Sequence, residues 1–144
     1  MNKTKALYEV IENAREFMNQ MNELIDDIHQ KHDINSCSRG VLLILRSEGL
    51  RTIPQLARET RRSRQYLQKI ITHMQNKGLI NLILNPSHKT SNLIELSDHG
   101  KKILVEILNA ESALINKIDI PIEIEQLRDS SNTLMQLTQV FQNT

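Results

Sequence analysis

The segment from residue 5 to residue 31 most constrains how this chain can fold. Apolar side chains recur there at alternating steps of three and four, and neither glycine nor proline interrupts them, a pattern that predicts one amphipathic helix. At a rise of ~1.5 Å per residue that helix is ~40 Å long. A small domain cannot cover such a rod along its whole length, so we expect a second copy of the chain to cover part of it. The apolar positions are Leu7, Ile11, Ala14, Phe17, Met18, Met21, Leu24, Ile25 and Ile28.

The composition favours long helices around an aliphatic core. The 144 residues include 4 glycines, 3 prolines, 2 phenylalanines, 2 tyrosines and no tryptophan, which argues against a β-sandwich. The single cysteine, Cys37, excludes a disulfide framework within the chain and fits a reducing compartment. The sequence begins without a signal-like apolar run, and no segment reaches the ~18 apolar residues of a membrane span. We therefore expect a cytoplasmic protein that does not enter a membrane.

A second helix follows, and its apolar residues are so dense that it must be buried on most sides. The apolar run consists of residues 41–45. The helix is expected to end at Gly49, since glycine suits the position after a helix C-terminus. Ser36 or Ser38 is expected to cap its N-terminus.

Two further helices are predicted on either side of a sharp turn. Thr52 and Gln55 have the spacing of a capping box, and Pro54 suits the first turn of the short helix that they start. Ser63 is expected to cap the next helix, which ends at Gly78. One face of that second helix is apolar, through Leu67, Ile70, Ile71 and Met74.

Two short strands and two helices complete the chain. Residues 79–84 and 92–97 are rich in Leu and Ile and are joined by a polar loop that contains a proline, so they predict a β-hairpin. We call the two strands and their loop the wing. A helix begins at Asp98, and Pro121 separates it from a last helix. The order of elements is that of a helix-turn-helix with a wing.

The positive charge is concentrated between Arg51 and Lys89, a segment that we call the basic block. It contains eight basic residues and one acidic residue, Glu59, whereas the rest of the chain has 10 basic and 16 acidic residues. A solvated surface usually mixes both signs, so this segregation indicates a polyanionic partner. The order of elements points to double-stranded DNA.

The residue types in the basic block divide by the DNA groups that they can contact. Arg and Gln form paired hydrogen bonds with guanine and adenine edges in the major groove, and phosphates bind cations and the free N–H groups of a helix N-terminus. The candidates for base edges are Arg64, Gln65, Gln68 and Lys69. The candidates for phosphates are Arg58, Arg61, Arg62 and Ser63. In the wing loop, His88 and Lys89 are the candidates for a contact with the DNA backbone or the minor groove. Tyr66 either packs the turn against the core or places its hydroxyl on a phosphate.

Several strings, in this order and spacing, resemble the winged helix-turn-helix of the MarR family of transcription regulators. They are Leu56-Ala57-Arg58, Ser63 to Gln68, Asn76 to Ile80, and Leu96-Ser97-Asp98-His99-Gly100. The resemblance implies a mainly α fold with a two-stranded β wing and long terminal dimerisation helices. It divides the chain into an N-terminal dimerisation helix (1–35), a DNA-binding domain (36–100) and C-terminal dimerisation helices (101–144).

The resemblance also carries functional expectations. Members of this family bind pseudo-palindromic DNA as homodimers, often as repressors, and a small-molecule effector between the dimer helices and the DNA-binding lobes can release them. Two departures stand out. Many members carry Asp-x-Arg-Asp in the wing, where this chain has Asn85-Pro86-Ser87-His88-Lys89. Arg61 and Arg62 occupy turn positions where glycine and an apolar residue are common, and an arginine at positive φ costs roughly 1–2 kcal/mol.

Two other functions are compatible with the sequence. The chain could be a dimeric winged-helix module that binds a protein, or a thiol-based oxidant sensor through Cys37, whose pKa a helix N-terminus would lower. His29 and His32 are spaced for one helix face, but we expect surface residues rather than a metal site. No nucleophile with a base, phosphate-binding loop or HExxH motif is present, so we predict no catalysis, cofactor or metal.

Overall fold

A computed structural model describes residues 2–87 and 91–144 of the chain. Within those residues it contains six helices and one two-stranded antiparallel sheet, which confirms the predicted mainly α fold with a β wing. The helices are α1 (Lys3–Lys31), α2 (Ser36–Glu48), α3 (Ile53–Thr60), α4 (Arg64–Asn76), α5 (Asp98–Asn116) and α6 (Ile124–Gln142), and the strands are β1 (Ile80–Ile83) and β2 (Leu93–Leu96).

The chain separates into two compact units, Met1–Ala113 and Leu114–Thr144. In the second unit, α6 buries none of its side chains. Its exposed large apolar residues are Ile124, Leu127, Leu134, Met135, Val140 and Phe141. The division at residues 35 and 100 that the resemblance implies stays a prediction.

The caps of the helices follow local hydrogen-bonding rules. The Thr52 N–H donates to Gln55 Oε1 at 2.8 Å and the Gln55 N–H donates to Thr52 Oγ1 at 3.3 Å, so the predicted capping box is confirmed. The prediction that Ser36 or Ser38 caps α2 is wrong. Asn35 occupies the N-cap position, and its Oδ1 accepts a hydrogen bond from the Ser38 N–H at 2.9 Å. Asparagine caps as well as serine does, and here it places Ser38 at the third helical position, where it completes the box.

The core of the first unit is aliphatic, as the composition predicts. It lies where α2, α3, α4 and α5 meet the wing, and the predicted apolar face of α4 supplies Leu67, Ile71 and Met74 to it. The large side chains that are fully buried include Leu42, Leu56, Leu67, Ile71, Met74, Ile80, Ile94, Leu104 and Ile107. This packing holds α4 with its opposite face towards solvent.

The wing is a β-hairpin with one additional partner. In its register Ile80 pairs with Leu96 and Leu82 pairs with Ile94. Arg51, in the segment between α2 and α3, also pairs with Ile94 through hydrogen bonds of 2.8 and 3.2 Å. The sequence did not predict this bridge, which ties the wing to the start of the helix-turn-helix.

The string from Leu96 to Gly100 has a structural reason. Ser97 Oγ accepts a hydrogen bond from the Gly100 N–H at 2.9 Å and donates to the Gly78 carbonyl at 2.6 Å, so it links the end of α4 to the start of α5. A Cβ atom at Gly100 would lie 2.1 Å from the Leu79 carbonyl oxygen. Only glycine allows this approach of backbone to backbone.

A buried charged cluster joins α1, α2 and α5. Arg39 Nε donates to both carboxylate oxygens of Glu111, at 2.7 and 2.8 Å, and His29 Nε2 lies 3.9 Å from Glu111 Oε2 without a hydrogen-bond partner. Burial lowers the pKa of His29, although the nearby Glu111 carboxylate opposes that shift. The expectation that His29 is a surface residue is therefore wrong, because α5 covers it.

Candidate nucleic-acid interface

The turn between α3 and α4 concentrates positive charge at the N-terminus of α4. Arg61 adopts φ 58° and ψ 40°, the left-handed conformation. This conformation is the one expected at a turn position where glycine is common in the MarR family. The Arg62 N–H donates to the Ala57 carbonyl at 3.0 Å and closes α3. Ser63 then caps α4, since its Oγ accepts a hydrogen bond from the Tyr66 N–H at 3.1 Å.

The two faces of α4 differ sharply in character. One face is buried in the core, and the other exposes Arg64, Gln65, Gln68, Lys69 and Thr72 to solvent. The Gln68 amide donates to Thr72 Oγ1 at 3.4 Å. The four candidates for base edges thus share one solvent-facing surface in the first turns of the helix.

Two cations of the basic block are neutralised within the protein. The Arg51 guanidinium lies 3.0 Å from Glu59 Oε1 and 3.6 Å from Glu48 Oε2. The Lys77 ammonium lies 3.0 Å from Asp33 Oδ2 and, by donating a hydrogen bond to it, lowers the pKa of that carboxyl. Neither cation belongs to the predicted site, and both have acidic partners within the protein.

Five other cations of the block lack an acidic partner within residues 2–87 and 91–144. They are Arg58, Arg61, Arg62, Arg64 and Lys69, and all five are exposed. The one acidic residue of the block, Glu59, is engaged by Arg51. The surface formed by these five cations, which we call the basic face, therefore has a net positive potential that nothing nearby on the block cancels.

Tyr66 packs the turn, which is one of its two expected roles. Its side chain contacts the core, its hydroxyl accepts a hydrogen bond from Asn35 Nδ2 at 3.3 Å, and the Arg62 guanidinium lies 5.5 Å from its ring centroid. At this distance a cation–π interaction restrains the Arg62 guanidinium. Tyr66 thus connects the cap of α2 to the turn, and this role of Asn35 was not predicted.

A groove of about 420 Å³ separates α4 from the wing. Its floor is apolar and includes Ile53, Ile71, Leu82 and Ile94. Its rim is polar and consists of Arg64, Gln65, Gln68, Gln75, Ser91 and Asn92. The last two residues, which sequence analysis left out, extend the polar surface from α4 to the second strand of the wing. The remaining candidates in the wing, His88 and Lys89, lie outside the described residues.

Cys37 does not have the environment of a reactive thiol. It lies at the second position of α2, but it is buried in the core, and burial raises its pKa although Arg62 acts in the opposite direction. The expected lowering by the helix N-terminus is wrong, because desolvation of the thiolate outweighs it.

Two further observations concern metals and membranes. The described residues contain no group of three side chains that could hold a metal ion. In the same part of the chain, no helix combines the length and the apolarity that crossing a membrane requires.

The fold and the basic face together define a winged helix-turn-helix protein. No protein-family model matches the chain. Over 100 residues, which are 69% of this chain and 70% of theirs, it is 28% identical to uncharacterized proteins of Mycobacterium tuberculosis and Mycobacterium bovis.

Solved structures share this fold along nearly the whole chain. A MarR family transcription regulator superimposes with a TM-score of 0.80 at 23% identity, covering 98% of this chain and 93% of its own. AbsC, a MarR family transcriptional regulator of Streptomyces coelicolor, gives 0.79 at 16% identity, with coverages of 100% and 98%. MarR of Escherichia coli in complex with operator DNA gives 0.78 at 14% identity, with coverages of 95% and 99%. The chain therefore has the winged-helix fold of MarR family regulators.

Proposed function

We propose that the protein is a transcription regulator that binds a specific sequence of double-stranded DNA as a homodimer. The observation that carries this proposal is the basic face, five exposed cations without acidic partners around the N-terminus of α4. Polyanions bind such a surface because each neutralised phosphate releases a counterion. The fold that the chain shares with MarR bound to operator DNA supports the same conclusion.

In this proposal α4 enters the major groove and its first turns contact the bases. Arg64 and Gln65 are the most suitable readers, because both are exposed and their side chains can form paired hydrogen bonds with base edges. Arg58, Arg61 and Arg62 lie in α3 and the turn and contact phosphates, which fixes the register of the helix in the groove.

The terminal helices provide the support for a homodimer. Tyr8, Phe17 and Met18 on α1 are exposed, and α6 exposes apolar residues along its length. Extended apolar faces on helices mark association surfaces. A two-fold dimer presents two α4 helices to half-sites that lie about one turn of the DNA duplex apart, so the operator is a pseudo-palindrome.

By the same family resemblance, we propose that the protein acts as a repressor and that a small ligand releases it. A reporter gene behind the selected operator tests repression, which requires higher expression when the protein is deleted. A library of phenolic and lipophilic compounds, added to the protein–DNA complex, tests release.

Duplex selection from a random library, followed by binding measurements at several salt concentrations, tests DNA binding. If the dimer neutralises about 6–8 phosphates, log K falls with log salt with a slope near −6. Failure to select any duplex refutes the proposed function, and an affinity that salt hardly changes refutes the role of the basic face.

Single substitutions assign the contacts. Arg64→Ala and Gln65→Ala should each cost ~1–3 kcal/mol of binding free energy and relax the preference for the contacted base pair. Arg46→Ala removes an exposed positive charge outside the basic block and is the matched control. Equal loss on specific and random duplexes would instead place Arg64 or Gln65 on the backbone.

A further inference from the structure

The short segment between α1 and α2 contacts α4 at two separate points. Asp33 Oδ2 lies 3.0 Å from Lys77 Nζ and 3.1 Å from His73 Nε2, and the Asp33 carbonyl oxygen lies 3.2 Å from the same His73 nitrogen. Asn35 Nδ2 donates to the Tyr66 hydroxyl at 3.3 Å. Tyr66 lies in the first turn of α4, whereas His73 and Lys77 lie at its end. Residues 33–35, which we call the connector, therefore contact both ends of α4.

The three partners of the connector lie on one side of α4. Tyr66, His73 and Lys77 follow one another at intervals of seven and four residues, so they fall within about 40° around the helix axis and span about 16 Å along it. By the same geometry this side lies between the buried face and the exposed face of the helix. Apolar packing fixes how far α4 lies from the core. Two polar contacts at opposite ends of one side also restrict its rotation and tilt.

The connector is itself fixed to α1 and α2. The Asp33 N–H donates to the Gln30 carbonyl at 3.1 Å, and the Ile34 N–H donates to the His29 carbonyl at 3.0 Å, so the connector is bonded to the last turn of α1. Asn35 caps α2. Asp33 adopts φ 54°, a conformation that costs free energy and persists where surrounding contacts determine it. Here those contacts are with α4.

We propose that Asp33 and Asn35 are positioning residues for DNA binding, and that the connector transmits the position of α1 to α4 in the major groove. The inference rests on the proposed function and adds to it a path from the proposed dimer helix to the helix that contacts the bases. The same path reaches a phosphate candidate, because the Arg62 guanidinium lies 5.5 Å from the centroid of the Tyr66 ring.

Asp33→Asn and Lys77→Met test the contact at the end of α4, on the duplex that the wild type selects and on a random duplex of equal length. Asparagine tolerates positive φ as aspartate does. The two variants change the charge in opposite directions, so electrostatics alone would tighten binding of both duplexes with Asp33→Asn and weaken it with Lys77→Met. Positioning predicts that both variants lower the ratio of selected to random affinity about fivefold, since an exposed ion pair contributes roughly twofold in each chain of the dimer.

Asn35→Ser and Tyr66→Phe test the contact at the start of α4. Serine caps a helix as well as asparagine does, so Asn35→Ser keeps the cap of α2 and removes the donor to the Tyr66 hydroxyl. Tyr66→Phe keeps the ring and removes that hydroxyl. Each variant should lower the affinity ratio about threefold. The double variant should lower it no further, because all three remove the same hydrogen bond.

Asp27→Asn is the matched control. Asp27 is exposed on α1 and has no cationic partner within residues 2–87 and 91–144, so this variant removes the same charge as Asp33→Asn without removing a contact to α4. It should leave the affinity ratio unchanged. Both affinities are measured on one sample, and their ratio does not depend on the folded fraction of that sample. A lower ratio is therefore not a loss of folding.

The outcomes separate this inference from the proposed function. If no duplex is selected, both are refuted. If the wild type selects a duplex and the variants discriminate as it does, only the inference is refuted. Opposite changes with Asp33→Asn and Lys77→Met, equal on both duplexes, would mean that this pair acts through charge alone. Additive effects of Asn35→Ser and Tyr66→Phe would mean that the Tyr66 hydroxyl acts independently of Asn35, which also contradicts the inference.

Discussion

Replacing Glu111 with methionine should destabilise the protein more than any change at an exposed charge. The Glu111 side chain is 8% exposed and its carboxylate accepts both hydrogen bonds from Arg39 Nε. Removing one partner of a buried ion pair costs ~3–5 kcal/mol, because the other charge stays desolvated. Arg39 is 31% exposed and regains part of its hydration, so we expect the lower end of this range, ~3 kcal/mol.

The structure also predicts how Arg39 and Glu111 are coupled. Arg39→Met leaves the Glu111 carboxylate without its partner, but Arg39 is partly exposed and water can enter the space that its guanidinium vacates, so this variant should cost ~2 kcal/mol. The double variant, with methionine at both positions, replaces the pair by apolar volume, which is often nearly neutral. It should therefore lose at most ~2 kcal/mol, against ~5 for the sum of the single variants, which is a coupling of at least ~3 kcal/mol.

Urea unfolding, followed by circular dichroism at one fixed protein concentration, measures these values, since the stability of a dimer depends on concentration. For a chain of this size ~3 kcal/mol lowers the Tm by about 6–12 °C. Glu12→Met is the control. Glu12 is 65% exposed and lies 3.8 Å from Arg15, so its loss should change the free energy by less than ~0.5 kcal/mol.

Two results would contradict this reasoning. Glu111→Met could cost no more than Glu12→Met, which would mean that the carboxylate is hydrated. Alternatively, the single effects could add within ~0.5 kcal/mol, which would mean that Arg39 and Glu111 are not coupled.

Four changes elsewhere test other features. Gly100→Ala should destabilise the fold by ~2 kcal/mol or more, because its Cβ meets the Leu79 carbonyl oxygen at 2.1 Å, as urea unfolding will show. Arg61→Gly should raise the free energy of unfolding by ~1 kcal/mol through relief of its positive φ, yet weaken DNA binding. Burial lowers the pKa of His29 in the folded state below its ordinary value of 6.5, so the unfolded state binds more protons below that pH. The free energy of unfolding should therefore fall as the pH is lowered through 6.5, and His29→Gln should weaken this pH dependence. Cys37 should react with a thiol reagent only on unfolding, because it is buried with a raised pKa; rapid labelling of the native protein would restore the oxidant-sensor hypothesis.

Local sequence signals predicted most helices and both strands because each signal acts within one turn of chain. The predicted Thr52–Gln55 box and Ser63 cap are confirmed, since their partners are three residues apart. The error at Asn35 is also local: Asn35, Ser36 and Ser38 can all cap a helix and lie within four residues at the start of α2, and sequence alone does not rank them.

A charge count cannot tell which cations of the basic block are paired within the protein. The count included Arg51 and Lys77 with the others. Arg51 pairs with Glu59 and, at a longer distance, with Glu48, and Lys77 pairs with Asp33. Glu48 and Asp33 lie outside the block. Pairing depends on how α1, α2 and α4 pack. Only the structure separates the five cations of the basic face from the two that are paired within the protein.

The buried cluster was missed for a similar reason. Glu111 is 72 residues from Arg39 in sequence, and each of these residues by itself has the type that ordinarily lies at the surface. Helical periodicity identifies apolar faces, so it gives no signal for a polar residue that is buried with a partner from another helix.

The electrostatics of α4 support the proposal that the basic face binds an external anion rather than stabilising the fold. The N-terminus of a helix carries partial positive charge and favours acidic residues in the first turn, but α4 has none there, and Arg61, Arg62 and Arg64 surround it. Arg61 adds the cost of positive φ. The clustered positive charge and the positive φ of Arg61 both destabilise the isolated protein, and sites that break local rules in this way are usually functional. The clustered charge becomes favourable when a phosphate binds at the same helix end, and this binding offsets the remaining cost of the positive φ.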